Sequence, residues 1–144
     1  MPTQSFENHA KTVPAFHFVL LPILLLTFIG SLVNLYHSLD DHTRLYSAAL
    51  IVVLTFCMII TAFCARVFAL MAQDRAIRAE ENLRHFAMTG KLLDSRLTVK
   101  QIVGLRFASD AEFVALAAKA ANESMSQKDI KQAVKNWRAD EYRV

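Results

Sequence analysis

Two runs of 21 residues, Phe16 to Tyr36 and Leu45 to Ala65, contain no Asp, Glu, Lys or Arg. As a helix, a run of that length spans about 31 Å at ~1.5 Å per residue, which matches the hydrocarbon thickness of a bilayer. The apolar pattern of the second run continues past Arg66 to Met71. Buried helices of soluble cores have apolar stretches nearer ~10 to 14 residues, and the roughly 80 remaining residues are too few to wrap two such rods. Hydrophobic residues make up 54% of the chain and charged ones 20%, sharply segregated along it. These features predict an all-α membrane protein: a two-helix transmembrane hairpin with a cytoplasmic helical tail of three or four short helices.

The expected divisions are an N-terminal cytoplasmic segment 1–15, a hairpin 16–71, a helical stalk 72–90 and a small cytoplasmic cluster 91–144. Within the hairpin the helices cover about 16–37 and 45–71, and the outer turn 38–44. The first run follows 15 residues with Glu7 and Lys11 and has no small-x-small cleavage pattern after it, so it reads as an uncleaved helix. Of the 16 Lys and Arg, Lys11 precedes the first run, Arg44 lies in the turn and 14 follow from Arg66 onward. The positive-inside rule then puts both termini in the cytoplasm. Arg66 is close enough to the end of its helix to snorkel to lipid headgroups.

If the turn closes symmetrically, Tyr36 faces Leu45, Asn34 lies level with Ser47, Gly30 with Ile51, Thr27 with Thr55, and His17 with Cys64. Thr27, Gly30, Ser31, Asn34, His37 and Ser38 share one side of the first helix, and Ala62, Ala65 and Ala69 form a small-residue seam on the second. Lipid supplies little hydrophobic force between helices, so small residues and interhelical hydrogen bonds must drive association. The stripe can glue the hairpin to itself or dock it on another membrane subunit. Pro22 is expected to loosen or kink the first helix. Cys57 and Cys64 are about 10 Å apart on one helix and cannot pair with each other.

His17, His37 and His42 are the positions that raise cofactor or metal binding. A structural zinc site needs about four ligands and a bis-histidine haem a second His at the same depth, which His17 lacks. The sequence His37-Ser-Leu-Asp-Asp-His42 reads as a solvated turn. No catalytic triad, glycine-rich phosphate loop, HExxH or CxxC occurs. No cofactor, no metal and no enzymatic activity are expected.

Beyond Ala72 the second helix is expected to continue as a stalk with Asp74 and Arg78, and Glu80 and Arg84, at helical spacing. Thr98 with Gln101, Ser109 with Glu112 and Ser126 with Asp129 fit capping boxes, predicting helices over 99–106, 110–121 and 127–138. Leu105, Phe107, Phe113, Leu116, Ile130, Val134 and Trp137 supply the apolar faces as tail core or partner contacts. Trp137 and Tyr142 near Lys131, Lys135, Arg138 and Arg143 also suit a lipid interface. The last helix offers no clear recognition face, and no nucleic acid is expected.

The segments NHAKTVPAFHF, IGSLVNLY, LTVKQIVGLRFASDAEF and IKQAVKNWRAD resemble a family of small bacterial two-span membrane proteins described only as a domain of unknown function. The resemblance implies the bacterial inner membrane and a helical tail, with no catalytic residues to carry over. The expected function is a non-catalytic accessory or scaffold subunit of a larger membrane complex, in contact with membrane lipid. The alternatives are a self-associating membrane adaptor or sensor, with a homo-oligomer, and a cofactor-contacting electron-transfer subunit.

Overall fold

A computed structural model describes residues 4–8 and 12–140. Expectations resting on Lys11, Tyr142 and Arg143 lie outside the described residues. The described chain is all-helical, with no strand. Five helices follow in order: α1 (Ala15–His37), α2 (His42–Thr89), α3 (Val99–Leu105), α4 (Asp110–Asn122) and α5 (Gln127–Ala133). The chain divides into two compact units, Thr12–Ala69 and a second made of Leu70 onward together with the N-terminal residues.

In the first unit α1 opens with a π-helical turn, Ala15–Leu20, before Pro22. In a regular helix the proline ring would meet the carbonyl four residues back, and a wider turn is one way to accommodate it. α2 starts at His42, three residues earlier than the apolar run, because Asp41 caps it. The Asp41 carboxylate accepts hydrogen bonds from the Thr43 N–H at 3.0 Å and the Thr43 hydroxyl at 2.6 Å. The turn is therefore shorter than the expected 38–44. Both helices carry apolar runs long enough to cross a membrane.

The buried residues of this unit recur every seven positions: Leu24, Ser31 and Ser38 on one side, Ala48 and Thr55 on the other. Ser31 Oγ lies 3.3 Å from Thr55 Oγ1, and the Phe28 and Phe56 rings are 6.1 Å apart. Thr55 thus meets Ser31, one helical turn from the Thr27 that symmetric closure predicts. Helical side chains lean toward their own N-terminus, so in an antiparallel pair the residues that touch are displaced from those level at Cα, which accounts for part of the offset.

In the second unit three short helices close a core of Leu93, Leu97, Ile102, Leu105, Phe107, Phe113, Leu116, Ala120, Ile130 and Val134. Each begins with a box-type cap. The Gln101 side chain takes the Thr98 N–H at 2.8 Å, Glu112 the Ser109 N–H at 3.3 Å, and Asp129 the Ser126 N–H at 3.3 Å. The last helix stops at Ala133, five residues short of the expected Arg138. At Val134 the backbone turns extended (ψ 119°) and the chain runs back along residues 107–109. Ala108 bridges to Trp137, Ser109 N–H donates to the Asn136 carbonyl at 3.1 Å and Arg138 N–H to the Phe107 carbonyl at 2.8 Å. α3 and α5 can pack closely because position 104 has no side chain: a Cβ there would lie 3.2 Å from the Gln127 carbonyl oxygen.

Candidate interaction site on the helical cluster

Glu81 and Arg84 sit one turn apart on α2, and both side chains face inward, 6% and 11% exposed. Arg84 donates to Glu81 Oε2 at 3.0 Å, to Asp110 Oδ1 through Nε at 2.8 Å and to the Ala108 carbonyl at 2.8 Å. Its guanidinium lies 4.2 Å over the Phe113 ring. A delocalised guanidinium suits such a place, since its flat face accepts the ring while its edge donors satisfy the oxygens. Sequence spacing paired Arg84 with Glu80; the structure pairs it with Glu81 and with Asp110, 26 residues away. The Arg84 hydrogen bond and then its charge hold the Asp110 carboxyl below its ordinary value.

Beside this pair, Arg106 is buried with its Nε 3.1 Å from Asp140 Oδ2, and Arg138 Nη1 lies 3.8 Å from Glu81 Oε1. Asp140 N–H donates to the Gln4 side chain at 2.9 Å, which ties the N-terminal residues to the same unit. Between these groups and α2 lies a cleft of about 340 Å³ lined by Gln73, Ile77, Glu80, Glu81, Arg106 and Arg138 among others. Within this group Glu81 faces Arg84 and Arg138, and Arg106 faces Asp140. The Phe107 ring, fully buried, holds Arg106 at 4.6 Å and Trp137 at 4.7 Å, with Lys131 Nζ at 5.5 Å.

Glu112 ties the last segment to α4. Its carboxylate accepts the Lys135 N–H at 3.1 Å and the Asn136 N–H at 3.0 Å as well as the Ser109 N–H. Burial pushes this carboxyl up, but the hydrogen bonds from Lys135, Asn136 and Ser109 outweigh it and leave it below its ordinary value. Between α2 and α3, Asp94 is held down to about 2 by its hydrogen bonds with Arg96. The loop carrying it is tied to α2, since Leu93 N–H donates to the Asn82 side chain at 3.2 Å and His85 Nδ1 lies 2.7 Å from the Lys91 carbonyl.

The sequence-derived positions fall into three groups. Leu105, Phe107, Phe113, Leu116, Ile130 and Val134 are buried in the tail core, and Trp137 is half-buried against Phe107, outside any helix. Ser31 and Thr55 meet between α1 and α2, with Ala62 half-buried. Thr27, Gly30, Asn34, Ser47, Ala65 and Ala69 are exposed within the chain. Gly30 has no heavy atom within 4 Å of where a Cβ would stand, so it makes no close helix approach here. Arg66 is half-buried in α2.

His17 and His37 each have their own local contacts. His17 Nδ1 sits 2.9 Å from the Val13 carbonyl and 3.1 Å from its amide nitrogen, and His37 lies against the Tyr36 ring. His42 opens α2, next to an Asp41 already engaged by Thr43 and Arg44. Among the described residues no three His, Cys, Asp or Glu side chains are placed to hold a metal ion. The residues that sequence reasoning missed are Leu24 and Ala48 in the helix contact and Glu81, Arg106 and Asp140 in the cleft. A heptad count from Ser31 and Thr55 reaches the first two; nothing local marks the others.

A family model matches residues 1–144, that of a family of unknown function, DUF6526. No curated protein and no solved structure matches the chain.

Proposed function

The chain belongs to the DUF6526 family, and from that premise we propose that it is a non-catalytic accessory or scaffold subunit of a larger bacterial inner-membrane complex. In this reading α1 and the first half of α2 form a membrane-spanning hairpin, both termini lie in the cytoplasm, and the tail contacts the cytoplasmic face of the complex. The observation that carries it is the outward display of large apolar side chains on two helices of membrane-spanning length, such as Leu26 at 69% and Leu54 at 61% exposed. In water that much apolar surface is unfavourable at about 25 cal/mol per Å², whereas in lipid it is the expected outer face.

The excess of Lys and Arg after Arg66 supports the orientation, and the Gln4 contact with Asp140 supports placing both ends of the chain on one side. The ion pairs of Glu81 with Arg84 and Arg138, and of Arg106 with Asp140, support a structural role for the groups beside the cleft. Mild detergent extraction followed by native mass spectrometry tests the reading. A fixed-stoichiometry complex with another membrane protein is the expected result, and a monodisperse, partner-free chain overturns it.

The self-associating adaptor is a second reading that a specific observation favours, the free face of α2 described next. The same measurement separates the two, because a complex built only from copies of this chain has a mass that is a multiple of one chain.

A further inference from the structure

Over residues 72–90, α2 has two contrasting sides. Ile77, Glu81 and Arg84 face the helical cluster and fix the rotation of the helix about its axis. At about 100° per residue the opposite side carries Ala72, Ala79, Leu83 and Phe86, with Ala76 at its edge next to the cleft. Their spacings of four, three, four and three are those of a coiled-coil seam. All five are exposed, Leu83 at 68% and Phe86 at 50%. Every charged residue between the ends of this stripe lies off it.

We propose that the stripe pairs in parallel with the same stripe of a second copy of the chain. The flanking charges select that partner. Arg75 stands just before the core position Ala76, and Glu80 just after the core position Ala79. In a parallel, in-register pair a residue at the first kind of position faces one five positions further along the other helix. Arg75 therefore meets Glu80 of the second copy, and by two-fold symmetry the pair forms twice. Among the described residues neither Arg75 nor Glu80 forms an ion pair within its own chain. An antiparallel pair about the middle of the stripe would instead set Glu80 against Glu80. The alanines allow close backbone approach at one end, and Leu83 and Phe86 supply apolar area at the other.

The parallel sense rests on the membrane anchoring proposed above, since copies inserted the same way run in the same direction. The test uses full-length chain in native membranes with Cys57→Ser and Cys64→Ser, carrying one new cysteine at a time through Ala76→Cys, Ala79→Cys, Leu83→Cys or Arg78→Cys. Oxidation is expected to give disulfide-linked dimers at positions 76, 79 and 83 at least several-fold more than at position 78. Adding Arg75→Glu should lower the dimer fraction several-fold, and adding Glu80→Arg to it should restore the yield. The substituted positions are exposed, and unchanged Trp137 emission checks that each variant keeps its fold.

Equal yields at all four positions, no dimer at any, or products with the mass of one chain plus a different protein overturn the pairing. Carbonate washing of the same membranes separates the two ideas. A chain that resists the wash and does not crosslink defeats the pairing alone, whereas a chain released by the wash defeats the anchoring whatever its crosslinks show.

Discussion

The Arg84 guanidinium lies 4.2 Å above the Phe113 ring while its edge donates to Glu81, Asp110 and the Ala108 carbonyl. One side chain thus joins α2, the start of α4 and the core beneath them. Removing it leaves the Glu81 carboxylate buried, with the Arg138 guanidinium at 3.8 Å as its remaining cation. Breaking a buried pair from one side costs about 3 to 5 kcal/mol, much of it the stranded charge. Arg84→Met should therefore lower the melting temperature of the detergent-solubilised chain sharply. Adding Glu81→Gln should recover part of the loss, because the stranded charge goes with it. A double variant no more stable than Arg84→Met would show that the cost lies in lost packing on Phe113 instead.

Phe107 is fully buried, and its neighbours include Trp137, the one tryptophan in the chain. Phe107→Ala should cost about 3 to 5 kcal/mol through lost contacts and the cavity left behind. It should also shift the tryptophan emission to longer wavelength, since Trp137 is half-buried against that ring. Unchanged emission with unchanged melting would mean that the 107–109 and 136–138 segments do not lie together in solution.

What could be read from the sequence followed the range of the forces involved. The two apolar helices and the starts of α3, α4 and α5 were legible, because hydropathy is summed over many neighbours and a capping box closes within four residues. The end of α5 was not. Val134 and Trp137 keep a helical apolar spacing, yet the chain leaves the helix there because Glu112, more than twenty residues upstream, takes the Lys135 and Asn136 amides. The cleft was invisible for the same reason, its pairs joining residues such as Arg84 and Asp110 with no local pattern between them. In the helix contact Thr55 meets Ser31 in place of Thr27, one turn away, and Leu24 and Ala48, outside the expected small and polar stripe and seam, are buried.

Gly104 and Gly30 should respond in opposite ways to added bulk. A Cβ at position 104 meets the Gln127 carbonyl oxygen at 3.2 Å and Ile130 Cγ2 at 3.3 Å, and a valine adds two methyls to that crowding. Gly104→Val should destabilise the cluster by about 1 to 3 kcal/mol, seen as a lower melting temperature. Gly30→Ala meets nothing within 4 Å and should leave melting of the isolated chain unchanged or slightly raised. If Gly30→Ala nevertheless reduces recovery of a membrane complex, the partner helix lies on the Thr27, Gly30 and Asn34 side.

Acid should loosen the tail cluster in a way that depends on Glu112. Its folded carboxyl lies below the ordinary value of 4.5, with Asp110 and Asp94 also held below their ordinary 3.8. A depressed carboxyl contributes its full stabilisation above the unfolded value and loses it as the pH falls through the folded one. The cluster should therefore be insensitive to pH above about 5 and weaken progressively below the ordinary carboxylate range, with Asp94 the last to protonate, at about 2. Trp137 follows Asn136, whose amide Glu112 holds, so its emission should report the loss directly. Glu112→Gln keeps a carbonyl oxygen for the Ser109 and Asn136 amides, gives up the acceptor that the Lys135 amide uses, and removes the titration, so its emission should change less between pH 5 and pH 3 than that of the natural chain. Superimposable titrations of the two proteins would show that the acid response comes from other carboxylates.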